Sequence, residues 1–372
     1  MRLVLFLNRL ILILNLGTEL RRMSNGKVDM HRAFIILIAV LVAACGSNAI
    51  TSTTPASPTD TTPTSTPEET SEPDTTDLVI LASTSILGDV VKQTVGDTAT
   101  VEVLMGPGVD PHDFQVSAAQ AALFRTADLV VINGLNLEEG ILDVIASAEA
   151  EGANILSLGE LVDPIPFGGD HDHDEADHDD DEADHDEDGH GHAHGDEDPH
   201  FWFDPRRMAN AVDLIAAEVA SLMGGSSADV SERAAEYKAE VLAMDESIEA
   251  TLSSIPSERR KLVTTHDNLG YLAARYDFEV VGTVIPGGST LAQPSSGDLA
   301  QLVTTLEREG VRAIFTESFA PDSLAQAVAD ELGESVTVHE LYTDALGEPG
   351  SGADTYLGLM ETTAATIAGA LR

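Results

Sequence analysis

The sequence predicts an α/β protein of two lobes, each a four-stranded parallel sheet flanked by helices, joined by one long rigid helix. Three observations carry this. Short apolar runs alternate with helical periodicity up to residue 158, the same alternation restarts after Ser257, and one uninterrupted periodic segment lies between.

In the first lobe the strands fall at 78–82, 101–105, 129–132 and 155–158, with helical stretches at 117–126 and 137–150. Sequential strands with helical crossovers pair in parallel. The second lobe repeats the pattern, with strands at 261–265, 278–284, 312–316 and 335–341 and helices at 267–276, 297–309 and 322–332. Between the lobes, Val230, Ala234, Tyr237, Val241, Met244, Ile248, Leu252 and Ile255 recur at spacings of three and four until Pro256 stops the run. A helix over 229–254 is about 39 Å long at 1.5 Å per residue, a strut rather than a flexible hinge. The boundaries that follow are 77–227 for the N-terminal lobe, 228–255 for the linking helix and 256–372 for the C-terminal lobe.

Composition limits the partners. Sixty-four acidic residues against 19 basic ones give a formal charge of −45 over 372 residues. Six of the basic residues precede residue 33, so everything after is more acidic still. Such a surface repels phosphate backbones and anionic headgroups, which excludes nucleic acid and favours small cations. The single cysteine, Cys45, excludes a disulfide framework and any cysteine-rich metal site.

Cys45 ends an apolar run of about a dozen residues that follows Lys27, His31 and Arg32. The run is too short to span a bilayer and suits the core of a secretory signal. Its last residues, Leu41-Val42-Ala43-Ala44-Cys45-Gly46, resemble a bacterial lipobox, in which the cysteine is lipidated and becomes the new N-terminus. Residues 1–45 are therefore expected to be a lipoprotein signal, with a start at Met23 or Met30 favoured over a second membrane segment at 3–16. From 47 to 76, 21 of 30 residues are Ser, Thr or Pro, a composition for an extended tether of up to about 90 Å. The mature chain is expected to be a monomer, exported and lipid-anchored at the cell surface or in a periplasm.

Residues 170–198 hold seven histidines (His171, His173, His178, His185, His190, His192 and His194), 16 acidic residues and no Lys or Arg. Without apolar periodicity the segment reads as a disordered insert in the first lobe. Solubility alone does not require interspersed imidazoles, so weak, multi-site, exchangeable metal binding is expected there.

Three further histidines sit where strands give way to turns or helices. His112 lies in GPGVDPHDFQ, His200 in DPHFWFDP between two Asp-Pro steps, and His266 in VTTHDNLGYL. Asp344, in VHELYTDALG, follows a fourth strand. Ligands of open parallel sheets bind at the carboxyl ends of the strands. Three imidazoles and a carboxylate suit tetrahedral zinc. Glu317, also at a strand end, reads as a supporting residue rather than a ligand.

These pieces, with ADLVVINGLNLEEG, FTESFAPDSLAQAVADE and LYTDALGEPGSGADTYLGLM, occur in the order found in the solute-binding proteins of metal-uptake ABC transporters. From about residue 76 onward the chain resembles the zinc/manganese cluster of that family, the ZnuA-like lipoproteins. The resemblance implies a metal buried between the lobes, held by His112 and His200 from the first and by His266 and Asp344 from the second. It also implies a membrane permease with its ATPase as partner, and no catalysis. Manganese members tend to carry a carboxylate where His266 stands, so the imidazole favours Zn²⁺ over Mn²⁺ as the transported ion. His-rich loops in this position are a feature of zinc-type members. Two other classes make different demands. A zinc hydrolase needs an open coordination position and a base, and no H-E-x-x-H or G-x-S-x-G motif is present. A surface adhesin using metal structurally would unfold on chelation, whereas a solute-binding protein would lose only a mass-action increment of stability.

Overall fold

The computed structural model describes residues 78–167, 197–224, 227–319, 322–333 and 335–372. Cys45, the tether and the seven insert histidines lie outside the described residues.

The first lobe contains β1 (Leu78–Ala82), α1 (Ser85–Val95), β2 (Ala99–Val103), α2 (Ala118–Thr126), β3 (Leu129–Ile132), α3 (Leu142–Ala150) and β4 (Ile155–Ser157). Its sheet is wholly parallel, in the order β2-β1-β3-β4. Then come α4 (Pro205–Leu222), with Pro205 at its first turn and Asp204 capping Arg206 N, and α5 (Ala228–Leu252). The second lobe contains β5 (Lys261–Thr264), α6 (Gly270–Tyr276), β6 (Glu279–Thr283), α7 (Ser296–Glu309), β7 (Ala313–Glu317), α8 (Ser323–Leu332), β8 (Thr337–Leu341) and α9 (Tyr356–Leu371). Its parallel sheet runs β6-β5-β7-β8, the same order as the first. Two four-stranded parallel sheets and a 25-residue joining helix are what the apolar pattern predicts.

α5 buries Val230, Ala234, Tyr237, Val241, Met244, Ile248 and Leu252, the face read from the spacing. It also buries Asp245, which no apolar pattern anticipates. The Asp245 carboxylate accepts from Arg206 Nε of α4 (3.2 Å) and, in the second lobe, from Arg275 Nη2 (2.6 Å) and Tyr276 Oη (2.9 Å) of α6. A buried carboxylate is tolerable when its oxygens are saturated by donors in this way. One side chain on the strut thus holds an element of each lobe.

The helix expected over 137–150 starts late. Gly134, Leu135 and Asn136 all have positive φ, and Glu138 turns its buried carboxylate back to accept from Asn133 N (2.7 Å), Gly134 N (3.2 Å) and Ser83 Oγ (2.7 Å). That captured turn delays regular helix to Leu142. The helix expected from 267 likewise begins at Gly270, because His266 O, which would accept the first helical bond, accepts from Asn268 N (3.0 Å) and Thr264 Oγ1 (2.6 Å) instead. Among the described residues no helix is long and apolar enough to cross a membrane.

Candidate metal centre

His112 lies in the turn after β2. Its position is set by Asp110, whose Oδ1 accepts from His112 N at 2.9 Å, an Asx-turn geometry suited to an Asp-Pro-His sequence. His200 is held the same way: Asp198 Oδ1 accepts from His200 N (2.9 Å) and meets His200 Nδ1 (2.7 Å). The short helical turn Phe201–Phe203 that follows is fully buried and anchors this segment in the core. His266 stands two residues past β5, and Asp344 three past β8. All four side chains therefore stand on loops, two of them, His266 and Asp344, within three residues of a strand's carboxyl end.

The structure brings these four residues together. One ligand atom from each of His112, His200, His266 and Asp344 lies within 4.8 Å of all the others, and all four side chains are buried. His266 Nε2 is 3.3 Å from both His200 Nε2 and Asp344 Oδ2. His112 Nε2 and His200 Nε2 are each 4.0 Å from an Asp344 oxygen. Zinc–ligand bonds of about 2.0–2.1 Å set tetrahedral ligand–ligand edges of about 3.3 Å, so the shortest spacings already match a filled shell and the others need a small contraction. His112 Nε2 and both Asp344 oxygens make no hydrogen bond among the described residues. Buried polar atoms of native proteins are rarely left so, and three aimed at one point are what a cation would satisfy.

Each imidazole has a carboxylate on its Nδ1. Glu139 Oε1 lies 3.3 Å from His112 Nδ1, Asp198 Oδ1 2.7 Å from His200 Nδ1, and Glu317 Oε1 2.5 Å from His266 Nδ1. An Nδ1–H donated to a carboxylate leaves Nε2 free to bind metal and raises its basicity. Glu317 therefore stands behind His266, on the side away from the cluster. Asp198, the last residue of the acidic run at 170–198, is buried, and its carbonyl accepts from Tyr271 Oη (2.8 Å). Sequence spacing gives no sign of Glu139, 27 residues from its partner. Asp198 had a local signal, an Asx turn two residues before a histidine.

The electrostatics differ from group to group. Burial, reinforced by the neighbouring histidines, holds His200 well below the usual imidazole range. Burial alone would also lower His266, but the Glu317 and Asp344 carboxylates outweigh it and raise it to about 9. Asp344 is pushed up to about 7 by burial, an effect that His266 partly offsets. Burial raises Asp198 well above the usual carboxylate range.

Similarity to known proteins agrees with this geometry. Residues 80–370 match the family model of the zinc-uptake complex component A periplasmic proteins, ZnuA. The zinc-binding protein TroA of Treponema pallidum is 29% identical over 297 residues, covering 79% of this chain and 88% of its own. The manganese-binding lipoprotein MntA of Bacillus subtilis is 30% identical over 299 residues, covering 79% and 90%. A solved structure of the Treponema TroA aligns with a TM-score of 0.66 at 28% identity, covering 79% of this chain and 99% of that one. With two like-ordered parallel sheets, a joining helix and a buried three-histidine, one-carboxylate cluster, the chain belongs to the ZnuA family of metal-uptake solute-binding proteins.

Proposed function

We propose that the chain captures Zn²⁺ outside the cytoplasm through His112, His200, His266 and Asp344 and surrenders it to an ABC permease. The observation that carries this is the convergence of four buried ligand atoms within 4.8 Å, with His112 Nε2 and both Asp344 oxygens left without a hydrogen-bond partner among the described residues. Three imidazoles and one carboxylate favour zinc; manganese prefers more oxygen. The likeness to MntA keeps Mn²⁺ as the second reading. Four protein ligands complete a tetrahedral shell and leave no position for a reactive water, which supports a binding role over catalysis.

Capture is proton exchange. Metal binds neutral imidazole and ionised carboxylate, so the ion displaces a proton from His266 and, at lower pH, from Asp344. Two ligands come from each lobe, so the ion bridges the cleft. Lipidation at Cys45 would tether a monomeric receptor beside the permease and its ATPase, and the histidines from His171 to His194 would concentrate zinc near it.

Competition titration against a chromophoric zinc chelator tests the ligand set. His112→Ala, His200→Ala and His266→Ala should each abolish the one tight equivalent while leaving the fold intact. Asp344→Ala should weaken it less, because a water can replace a carboxylate oxygen. Wild-type affinity in any histidine variant removes that residue from the site. Parallel titration with Mn²⁺ decides between the two metals.

A further inference from the structure

The segment 285–291 between β6 and α7 touches the flanks of all three histidines. Towards its own lobe, Ile285 N bonds Thr265 O (2.7 Å) and Gly287 O accepts from Asp267 N (2.9 Å), the residues on either side of His266. Towards the first lobe it makes two contacts. Thr290 Oγ1 donates to Asp110 Oδ2 at 2.7 Å, while the other oxygen of the same carboxylate holds His112 N. Gly288 lies flush against the Phe167 ring: a Cβ there would stand 2.0 Å from Cε1 and 2.1 Å from Cζ. That ring in turn packs edge-on against His200, with centroids 6.5 Å apart and planes at 69°. Gly288 and Ser289 are buried although both sit in a loop.

We propose that 285–291 is a strap across the cleft and that Asp110 and Phe167 are the positioning residues through which it governs how fast metal leaves. None of the strap residues offers a ligand to the centre. Asp110 joins the strap to the backbone of His112 through the two oxygens of one carboxylate, and Phe167 joins it to the ring of His200. Metal leaves when the first-lobe histidines separate from His266 and Asp344, and both strap contacts must break for that separation. They therefore slow release without changing the coordination of the bound ion. The proposal rests on the four-residue site above.

The test uses the full chain loaded with Zn²⁺ or Co²⁺ and follows transfer of the ion to excess EDTA. Thr290→Val removes the hydroxyl donor at nearly constant shape, Phe167→Ala removes the ring, and Gly288→Ala displaces it. Each should speed release about tenfold, the scale of losing one hydrogen bond to a carboxylate or an equivalent packing contact. One tight equivalent and the visible spectrum of the Co²⁺ form should stay as in the wild type, and the metal-free variants should remain folded with a single cooperative thermal transition. Thr304→Val, whose hydroxyl bonds only its own helix at Ala300 O, should release at the wild-type rate. Release unchanged in all three strap variants overturns the proposal, as does faster release accompanied by an altered Co²⁺ spectrum. His112→Ala in the same series separates the two readings: tight zinc binding in that variant defeats the ligand assignment, whatever the strap variants do.

Discussion

Trp202 Nε1 donates a 2.9 Å hydrogen bond to the carbonyl of Thr343. The donor stands two residues after His200 and the acceptor immediately before Asp344, so a single bond ties the first-lobe segment carrying His200 to the second-lobe segment carrying Asp344. Tyr356 Oη reinforces it by donating to Trp202 O at 2.8 Å. Trp202 is also the only tryptophan of the chain, and its ring lies 5.2 Å from that of His200.

Intrinsic fluorescence should therefore report occupancy, changing on addition of zinc and saturating at one tight equivalent. Trp202→Phe keeps an aromatic ring at the position but shrinks it and leaves the Thr343 carbonyl without its donor, the hydrogen bond alone a loss of about 1–2 kcal/mol. The expected result is zinc affinity lower by about tenfold, measured by chelator competition because the variant lacks the fluorophore. Unchanged affinity would mean that the bond contributes nothing to the geometry of Asp344.

Zinc affinity should climb with pH through the neutral range. In the metal-free protein His266, raised to about 9, carries a proton that the ion must displace, so binding between pH 7 and 9 releases about one proton. Below about 7 Asp344 protonates as well and the dependence steepens, while His200, already held neutral, adds no proton in this window. Calorimetry in two buffers of different ionisation enthalpy counts the protons. Glu317→Gln keeps an acceptor for His266 Nδ1 but removes the charge that raises the imidazole. It should lower affinity at high pH by about 10–100-fold and largely abolish proton release near pH 8.

Deleting 170–196 should remove several weak zinc equivalents and leave the tight one. The deletion must stop short of Glu197, which bridges to Pro166, and of Asp198, which holds His200. Imidazoles of ordinary pKa near about 6.5 empty first as pH falls below roughly 6, and the acidic side chains make the weak sites sensitive to ionic strength. Loss of the tight equivalent with the segment would place a ligand inside it. Zinc-limited uptake should slow in the deletion only when zinc is scarce.

Cys45→Ala should move the protein from the membrane fraction to the soluble one. Retention on the membrane with unchanged electrophoretic mobility would shift suspicion to the apolar run at 3–16.

Sequence periodicity located the sheets well, since strands buried on both faces read as short apolar runs, and 78–82 and 129–132 coincide with β1 and β3. It was weakest for helices without a polar face. α9 buries Tyr356, Leu359, Met360, Ala364, Ile367, Ala368 and Leu371 at helical spacing, but its other face carries Leu357, Gly358, Ala365, Gly369 and Ala370 with one charge, Glu361, so the apolar stripe has little polar contrast. Within the site, the histidines stood out because turn-forming residues surround them. Glu139 and the Trp202–Thr343 bond, which spans 141 positions, depend on the assembled tertiary structure and leave no local trace.

The two sheets share one strand order, second-first-third-fourth, yet their contributions to the site differ: His112 follows the second strand of its lobe, while His266 and Asp344 follow the first and fourth of theirs. Two sheets of like order are thus furnished asymmetrically, with the four clustered side chains on loops that no ladder hydrogen bond constrains. Exchange of side chains at these loop positions can therefore change ion preference while both sheets, and the strut between them, stay in place.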